Sequence, residues 1–335
     1  MPVAAPLSSK ILNRNTMKTT TVVLLTLVSL LVFAACGGDG DDIVIERKPQ
    51  PVTPDASAGN SNRNTTGGTE AQTRLEFPRL KNNGSVVVVH RAQLNKTQEG
   101  VNYCVEWDPA INAQRWSCYQ MYSTVNYHSS YNVARYKANN DGSLSPQCQY
   151  PNDADLPVAY QMTADPYKYN GYDHGHICPS ADRLRSSESN YQTFYITNMQ
   201  PQLKVFNSGI WDSIENQVRT WASLCDTLFV CKGGTIDKDE HIIKYITDHV
   251  TGTNRIPVPR YFFTAMLAKK GTTYKALGLW VEQLNEDHRR DALKDYVVSI
   301  DQLEELTGID FFCNLPDETE VIVEATLTLN DWNLK

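Results

Sequence analysis

From about residue 75 the chain alternates short apolar runs with polar turns. Val86-Val87-Val88-Val89 predicts a buried strand. Asn102 to Trp107 alternates as a strand, and Arg115 to Tyr122 reads as its hairpin partner. Phe194-Tyr195-Ile196-Thr197 predicts a short strand, and Leu228-Phe229-Val230-Cys231 another that ends at Gly233-Gly234. Tyr261 to Ala268 and Tyr274 to Val281 predict two more. The period changes between Ser208 and Ala222, where Ile210, Trp211, Ile214, Val218 and Trp221 share one face of an amphipathic helix. A second helix over Asp301 to Leu306 is stopped by Gly308. Residues 125–170 are polar, with a turn at Asn139-Asn140-Asp141-Gly142. Strands and helices mix without the rhythm of a parallel sheet. The expected class is therefore α+β, with a mainly antiparallel sheet flanked by helices.

The first seventy-odd residues read differently. Met17-Lys18 precedes an apolar run from about Val22 to Ala35, too short for a comfortable transmembrane helix and suited to a signal peptide. It ends in Phe33-Ala34-Ala35-Cys36, which resembles a bacterial lipobox. Residues 1–36 are expected to be a signal peptide, with Cys36 as the lipidation site. Residues 37–73 are rich in Gly, Pro, Asn, Ser and Thr without periodic apolar positions, and are expected to form a disordered tether. Residues 74–335 are then the folded domain. The acidic run after Cys36 resembles surface-export signals of some Gram-negative lipoproteins. The expected location is exported and lipid-anchored to a bacterial membrane, at the outer membrane or cell surface.

Composition narrows the chemistry only a little. The 335 residues suffice for one large domain or two ordinary ones. A net charge of −7 and a pI near 5.5 give no global basic field to attract a polyanion. Seven of the eight cysteines follow Cys36, and an exported chain is expected to form disulfides. Cys104 and Cys118, on adjacent predicted strands, are the first candidate pair. No Cys-x-x-Cys occurs, which argues against a zinc ribbon.

The chemistry concentrates in three segments. They are Asp173-His174-Gly175-His176, then Asn198-Met199-Gln200-Pro201-Gln202, then Asn207-Ser208-Gly209-Ile210-Trp211-Asp212-Ser213-Ile214-Glu215. Phosphodiester hydrolysis needs a base for water, charge neutralisation at phosphorus and help for the leaving oxygen. His176 can be the base, since imidazole is largely unprotonated near neutral pH. Asn207 stands at the start of the predicted helix, as an N-cap or as a neutral oxygen ligand to a hard cation. Glu215 lies eight residues on, about two turns away and on roughly the same side. Asn198 can bind phosphate or close a turn.

In order and spacing these segments resemble the DNA/RNA non-specific endonuclease family, whose ββα-metal core is also called the His-Me finger. That family carries Asp-Arg-Gly-His, then Asn-x-x-Pro-Gln, then Asn-x-Gly-x-Trp-x-x-x-Glu. The resemblance covers about residues 75–330, with Leu75-Glu76-Phe77-Pro78, Ile256-Pro257-Val258-Pro259 and Leu306-Thr307-Gly308-Ile309-Asp310-Phe311-Phe312 included. It implies a ββα-metal core and metal-dependent cleavage of DNA and/or RNA with little sequence specificity, giving 5′-phosphate products. It implies Mg2+ as cofactor, with Mn2+ able to substitute. It implies His176 as general base, Asn207 as direct metal ligand, Glu215 as a holder of metal-bound water, and Asn198 as a supporting residue. The expected partner is nucleic acid, besides the membrane reached through the lipid anchor; no protein partner is expected.

One position departs from the family pattern: His174 replaces the arginine expected to touch phosphate. A histidine there is shorter and charged only at lower pH. Arg135, Arg183 and Arg185 are candidate substitutes. Two other readings remain at this point. One is a catalytically impaired nucleic-acid-binding surface lipoprotein on the same fold. The other is a zinc site built from His174, His176 and Cys178.

The lipobox reading has a direct test. Cys36→Ser is expected to release the protein from the membrane fraction or block processing of its precursor. Unchanged lipid content and membrane association would refute it.

Overall fold

A computed structural model describes residues 59–64, 69–94, 99–125, 127 and 133–334. The expected signal peptide, Cys36 and most of the expected tether lie outside these residues. The first three strands, β1 (Val86–Gln93), β2 (Glu99–Asp108) and β3 (Ala113–Tyr122), form a meander. A long loop region leads to β4 (Asp173–His176), α1 (Ser187–Gln192) and β5 (Met199–Gln202). The helical run of α2 (Lys204–Phe206), a π turn (Asn207–Trp211) and α3 (Asp212–Ala222) follows. Then come β6 (Thr227–Gly234), β7 (Ile242–Thr247), β8 (Arg255–Pro259), β9 (Tyr261–Lys270) and β10 (Thr273–Glu282). The chain closes with β11 (Val297–Val298), α4 (Ile300–Thr307) and α5 (Asp317–Ala325). Seven strands form one sheet in the order β1-β2-β3-β6-β9-β10-β11, every neighbouring pair antiparallel. β4 pairs with β5, and β7 with β8, as separate hairpins.

The large sheet is buried on both faces, which explains its nearly continuous apolar strands. Tyr103, Tyr119, Val230, Met266 and Leu279 point into one core. Cys104, Cys118, Cys231 and Ala265, offset by one position, point into the other. The first face takes α3, whose Ile214, Val218 and Trp221 are buried, together with Ile210 and Trp211 of the π turn. Each such side chain stabilises docking by about 1.5–3 kcal/mol, more than any difference in helix propensity along α3. The second face takes α4 and α5 through Ile300, Leu303 and Val323. Ser299 caps α4 by accepting from the Gln302 amide, and Gly308 ends it at φ 73, a left-handed stop that favours glycine.

The α+β class, the antiparallel sheet and the flanking helices are as expected. Several particulars differ. Phe194 to Thr197 is no strand: Phe194 and Ile196 are buried in tight turns, the Ile196 amide donates to Pro151 O, and the strand begins at Met199. A short apolar run looks alike as a strand or as a buried turn, since burial of either demands the same residues. Ordered chain also begins before Leu75. Within the expected tether, Asn60 Nδ2 donates to Leu315 O at 2.6 Å and Cys313 O at 3.1 Å, and Asn62 Nδ2 donates to Glu320 Oε1 at 2.8 Å. Its asparagines are hydrogen-bonding staples where composition suggested a solvated linker.

The disulfide expectation also needs correction. Cys104 faces Cys118 across β2 and β3, and Cys118 faces Cys231 across β3 and β6, yet every cysteine of the described residues is a free, buried thiol. Burial pushes the Cys118 thiol up, and those of Cys178 and Cys313 to about 12. A protonated thiol sealed in a packed core behaves as a small apolar side chain and is a poor partner for exchange.

His90, fully buried on β1, is the most perturbed imidazole outside the cleft region. Its Nε2 lies 3.2 Å from Asp153 Oδ2 and its Nδ1 lies 3.1 Å from Asp155 Oδ2, with Tyr103 and Tyr195 rings alongside. Burial opposes a charge on the ring, but the two carboxylates, Asp153 foremost, outweigh it and lift the pKa to about 9. The three side chains lie close enough to share a cation. A pKa raised above the unfolded value makes this contribution to stability complete below about pH 6.5 and lost as pH rises through about 9. Melting temperatures measured from pH 6 to 10 are expected to fall over that window, with a shallower fall in His90→Gln. Equal slopes for the two proteins would remove His90 from the explanation.

Candidate active site

The site grows from the β4–β5 hairpin and the helical run after it. β4 sets Asp173 opposite Gln202 and His176 opposite Met199. Residues two apart on a strand share a face, so His174 and His176 both turn toward one cleft. Gly175 between them turns the other way, where a Cβ would come within 2.3 Å of the Gln202 side chain. The cleft has a volume of about 810 Å3 and gathers Arg135, Lys168, Asp173, His174, His176, Asn207, Asp212, Glu215 and Arg219.

His176 is held with its ring edge-on to Phe194, 4.8 Å between centroids, while its backbone carbonyl accepts from Trp211 Nε1 at 3.5 Å. Its buried Nε2 has no hydrogen-bond partner. Burial, then the Arg135 guanidinium and neighbouring His174, hold its pKa well below the usual histidine range. The ring is therefore neutral at pH 7, with a lone pair to accept a proton.

His174 sits in a cage. Tyr150 stacks on it at 3.6 Å and 5°, Tyr167 packs on it at 4.4 Å and 25°, and Nε2 lies 2.9 Å from Asp165 Oδ2. Its side chain is 8% exposed. It lines the cleft, but with its faces covered and one nitrogen committed to a carboxylate.

Asn207 heads the π turn, and its side chain caps no helix amide. Its Nδ2 instead donates to Asp173 Oδ2 at 3.0 Å, which fixes the amide orientation. Among the described residues none donates to its Oδ1, leaving a neutral oxygen for a ligand. A widened turn at such a position is a recurrent device for re-aiming side chains. Glu215, one turn into α3, receives Lys232 Nζ at 3.3 Å and Arg219 Nη2 at 3.4 Å. Burial pushes its carboxyl up, while Lys232 and Arg219 pull it back. Arg219 is itself fixed by Asp182 at 2.7 Å, and Lys232 lies 4.3 Å over the Trp211 ring.

A sequence model of the DNA/RNA non-specific endonuclease family matches residues 85–318. The chain belongs to this family. It is 29% identical to a nuclease of Nostoc sp. over 192 residues, 55% of this chain and 66% of that protein. It is 25% identical to human mitochondrial nuclease EXOG over 228 residues, 66% of this chain and 58% of that protein. Bovine mitochondrial endonuclease G is also 25% identical, over 52% of this chain and 59% of its own length. The matches thus span less than two thirds of these relatives. In fold the chain is similar to a crystal structure of the EndoG/EndoGI complex, with a TM-score of 0.52 and 19% identity over 68% of this chain and 89% of that one. The ββα unit of this endonuclease family corresponds here to β4, β5 and the helical run through α3.

Placed on this endonuclease fold, the four amide, imidazole and carboxylate residues His174, His176, Asn207 and Glu215 meet in the cleft, and Asn198 does not. Asn198 is fully buried, and all its hydrogen-bonding capacity is spent. Its Oδ1 accepts from the Cys178 amide at 2.9 Å and Ser117 Oγ at 3.1 Å. Its Nδ2 donates to Cys178 O at 2.9 Å and Thr193 O at 2.8 Å. It clamps the chain just beyond His176. Cys178 lies in the core and joins His174 and His176 in no metal-capable group among the described residues. Among the candidate arginines, Arg135 lines the cleft, whereas Arg183 binds Gln120 O and Arg185 binds the Tyr127 hydroxyl. Asp173 was visible only as a flanking residue, and Lys232 and Asp182 gave no sequence signal at all.

Asn198→Ala removes four hydrogen bonds and strands the Cys178 N–H together with the Cys178 and Thr193 carbonyls. The expected destabilisation is about 2–4 kcal/mol, read as a fall in Tm. A Tm within 1 °C of the parent's would show the clamp to be redundant.

Proposed function

We propose that this chain is a metal-dependent endonuclease acting on DNA and/or RNA with little sequence preference. The observation that carries the reading is a neutral His176 lining one cleft with an Asn207 carbonyl oriented by Asp173. His176 accepts the proton of a water that attacks phosphorus. Asn207 would hold Mg2+ through Oδ1, with Mn2+ able to substitute; the carboxylates of Asp173, Asp212 and Glu215 line the same cleft and would anchor the waters that complete its shell. A cation bound there would supply charge neutralisation at the scissile phosphate and at the departing oxygen. Glu215, oriented by Lys232 and Arg219, holds water beside Asn207. Arg135 fills the electrostatic role of the family arginine, since His174 is committed to Asp165 and its tyrosine cage. Backbone phosphate contacts dominate recognition, which accounts for weak sequence preference. The export and lipid anchoring read from Cys36 belong to the same proposal and place the enzyme outside the cytoplasm.

Purified protein is tested on duplex DNA, single strands and RNA. Cleavage is expected to stop with EDTA and return with excess Mg2+. His176→Ala is expected to lower kcat by at least about a hundredfold at unchanged Tm, and Arg135→Ala by about the same factor. Cutting that survives exhaustive chelation would sink the mechanism. Binding without cleavage under every condition would favour the impaired nucleic-acid-binding protein.

A further inference from the structure

On the second face of the sheet, away from the cleft, α4 and α5 pack on β10 and on each other. Asp301 and Glu304 of α4 and Glu324 of α5 converge there, with one carboxylate oxygen of each within 4.8 Å of the others. Glu324 is 6% exposed, and its Oε1 is buried without any hydrogen-bond partner. Glu304 Oε1 accepts only the Phe311 amide, at 2.7 Å. Asp310 and Glu320 add further negative charge nearby, partly satisfied by Asn62. Among the described residues no Lys, Arg or His pairs with Asp301, Glu304 or Glu324.

Such a cluster has two ways to avoid repulsion. Carboxyl groups can share protons, which requires an oxygen pair at hydrogen-bond distance. Alternatively a cation can sit among them. A Ca2+ ion binds oxygens at about 2.3–2.6 Å, so any two of its ligands lie within about 5 Å of each other. One oxygen from each of the three carboxylates falls within that limit, and Glu324, the buried member of the group, keeps an oxygen with no other partner. Without a cation, burial and the neighbouring carboxylates push Glu304 up to about 8 and Glu324 up to about 10.

We propose that Asp301, Glu304 and Glu324 form a second cation site, suited to calcium, that pins α5 to α4. Three carboxylates offer up to six oxygens, and the exposed edge at Asp301 admits water to complete the shell. The site ties the end of the domain together and takes no part in the chemistry of the cleft.

The experiment uses metal-stripped full-length protein, with CaCl2 as the probe. Calorimetric titration and melting curves are run on the parent, Asn207→Ala, Asp301→Asn and Glu324→Gln. Calcium is expected to raise the Tm of the parent and of Asn207→Ala by several degrees, with one ion bound per Asn207→Ala chain. Asp301→Asn, at an exposed position, is expected to weaken binding at least tenfold. Glu324→Gln, which removes repulsion and stays folded, is expected to abolish the shift while Mg2+-dependent cleavage is retained. Equal calcium shifts in Glu324→Gln and the parent would overturn the proposal. So would a shift that disappears in Asn207→Ala, since it would belong to the cleft. The outcome is independent of whether cleavage is observed.

Discussion

A sheet covered on both faces leaves its polar side chains no water to turn to, and that constraint organises the rest of the molecule. A buried charge is tolerable only when paired. Arg115, 3% exposed, is held by Glu106 at 2.5 Å and Asp237 at 2.7 Å. Lys232, fully buried on β6, reaches Glu215 of α3 and lies over Trp211. Glu215 is therefore oriented by the sheet as much as by its own helix. The cleft inherits its rigidity from the same source: Asn198 and Gln200 fasten the β4–β5 region to β3 and β6 through buried amide bonds.

Much of this was legible in the sequence, for reasons that differ residue by residue. The strands and α3 showed themselves because burial imposes a period, and Ile214, Val218 and Trp221 obey it. His176, Asn207 and Glu215 showed themselves because their types and spacing match a known kit. Asn198 was legible as a position but not as a role. An amide both donates and accepts, so the letters cannot say whether it meets phosphate or peptide. The cage around His174 was invisible, because Tyr150, Asp165 and Tyr167 come from a loop region without periodicity. Arg135 was one of three candidates that only three-dimensional placement could separate. The cysteines misled because a compartment argument predicts oxidation, while packing decides whether a thiol can be reached.

The two groups of carboxylates illustrate how local partners assign roles to the same functional group. Glu215 has two cations within reach and is a fixed, polarised element of the cleft wall. Glu324 has none, and its environment opposes ionisation. Side-chain chemistry is identical in the two places. Only the neighbouring charges differ: Lys232 of β6 and Arg219 of α3 reach Glu215, and no cation among the described residues pairs with Glu324.

The hydrogen bonds of Asn60 and Asn62 to Leu315, Cys313 and Glu320 fix where the chain enters the domain. That point lies beside α5, across the full thickness of the sheet from His176 and Asn207. Residues 59–64 therefore pack on the rear of the domain. None of them lines the cleft, whose mouth is left to the β4–β5 hairpin, the π turn and the loop residues around Lys168.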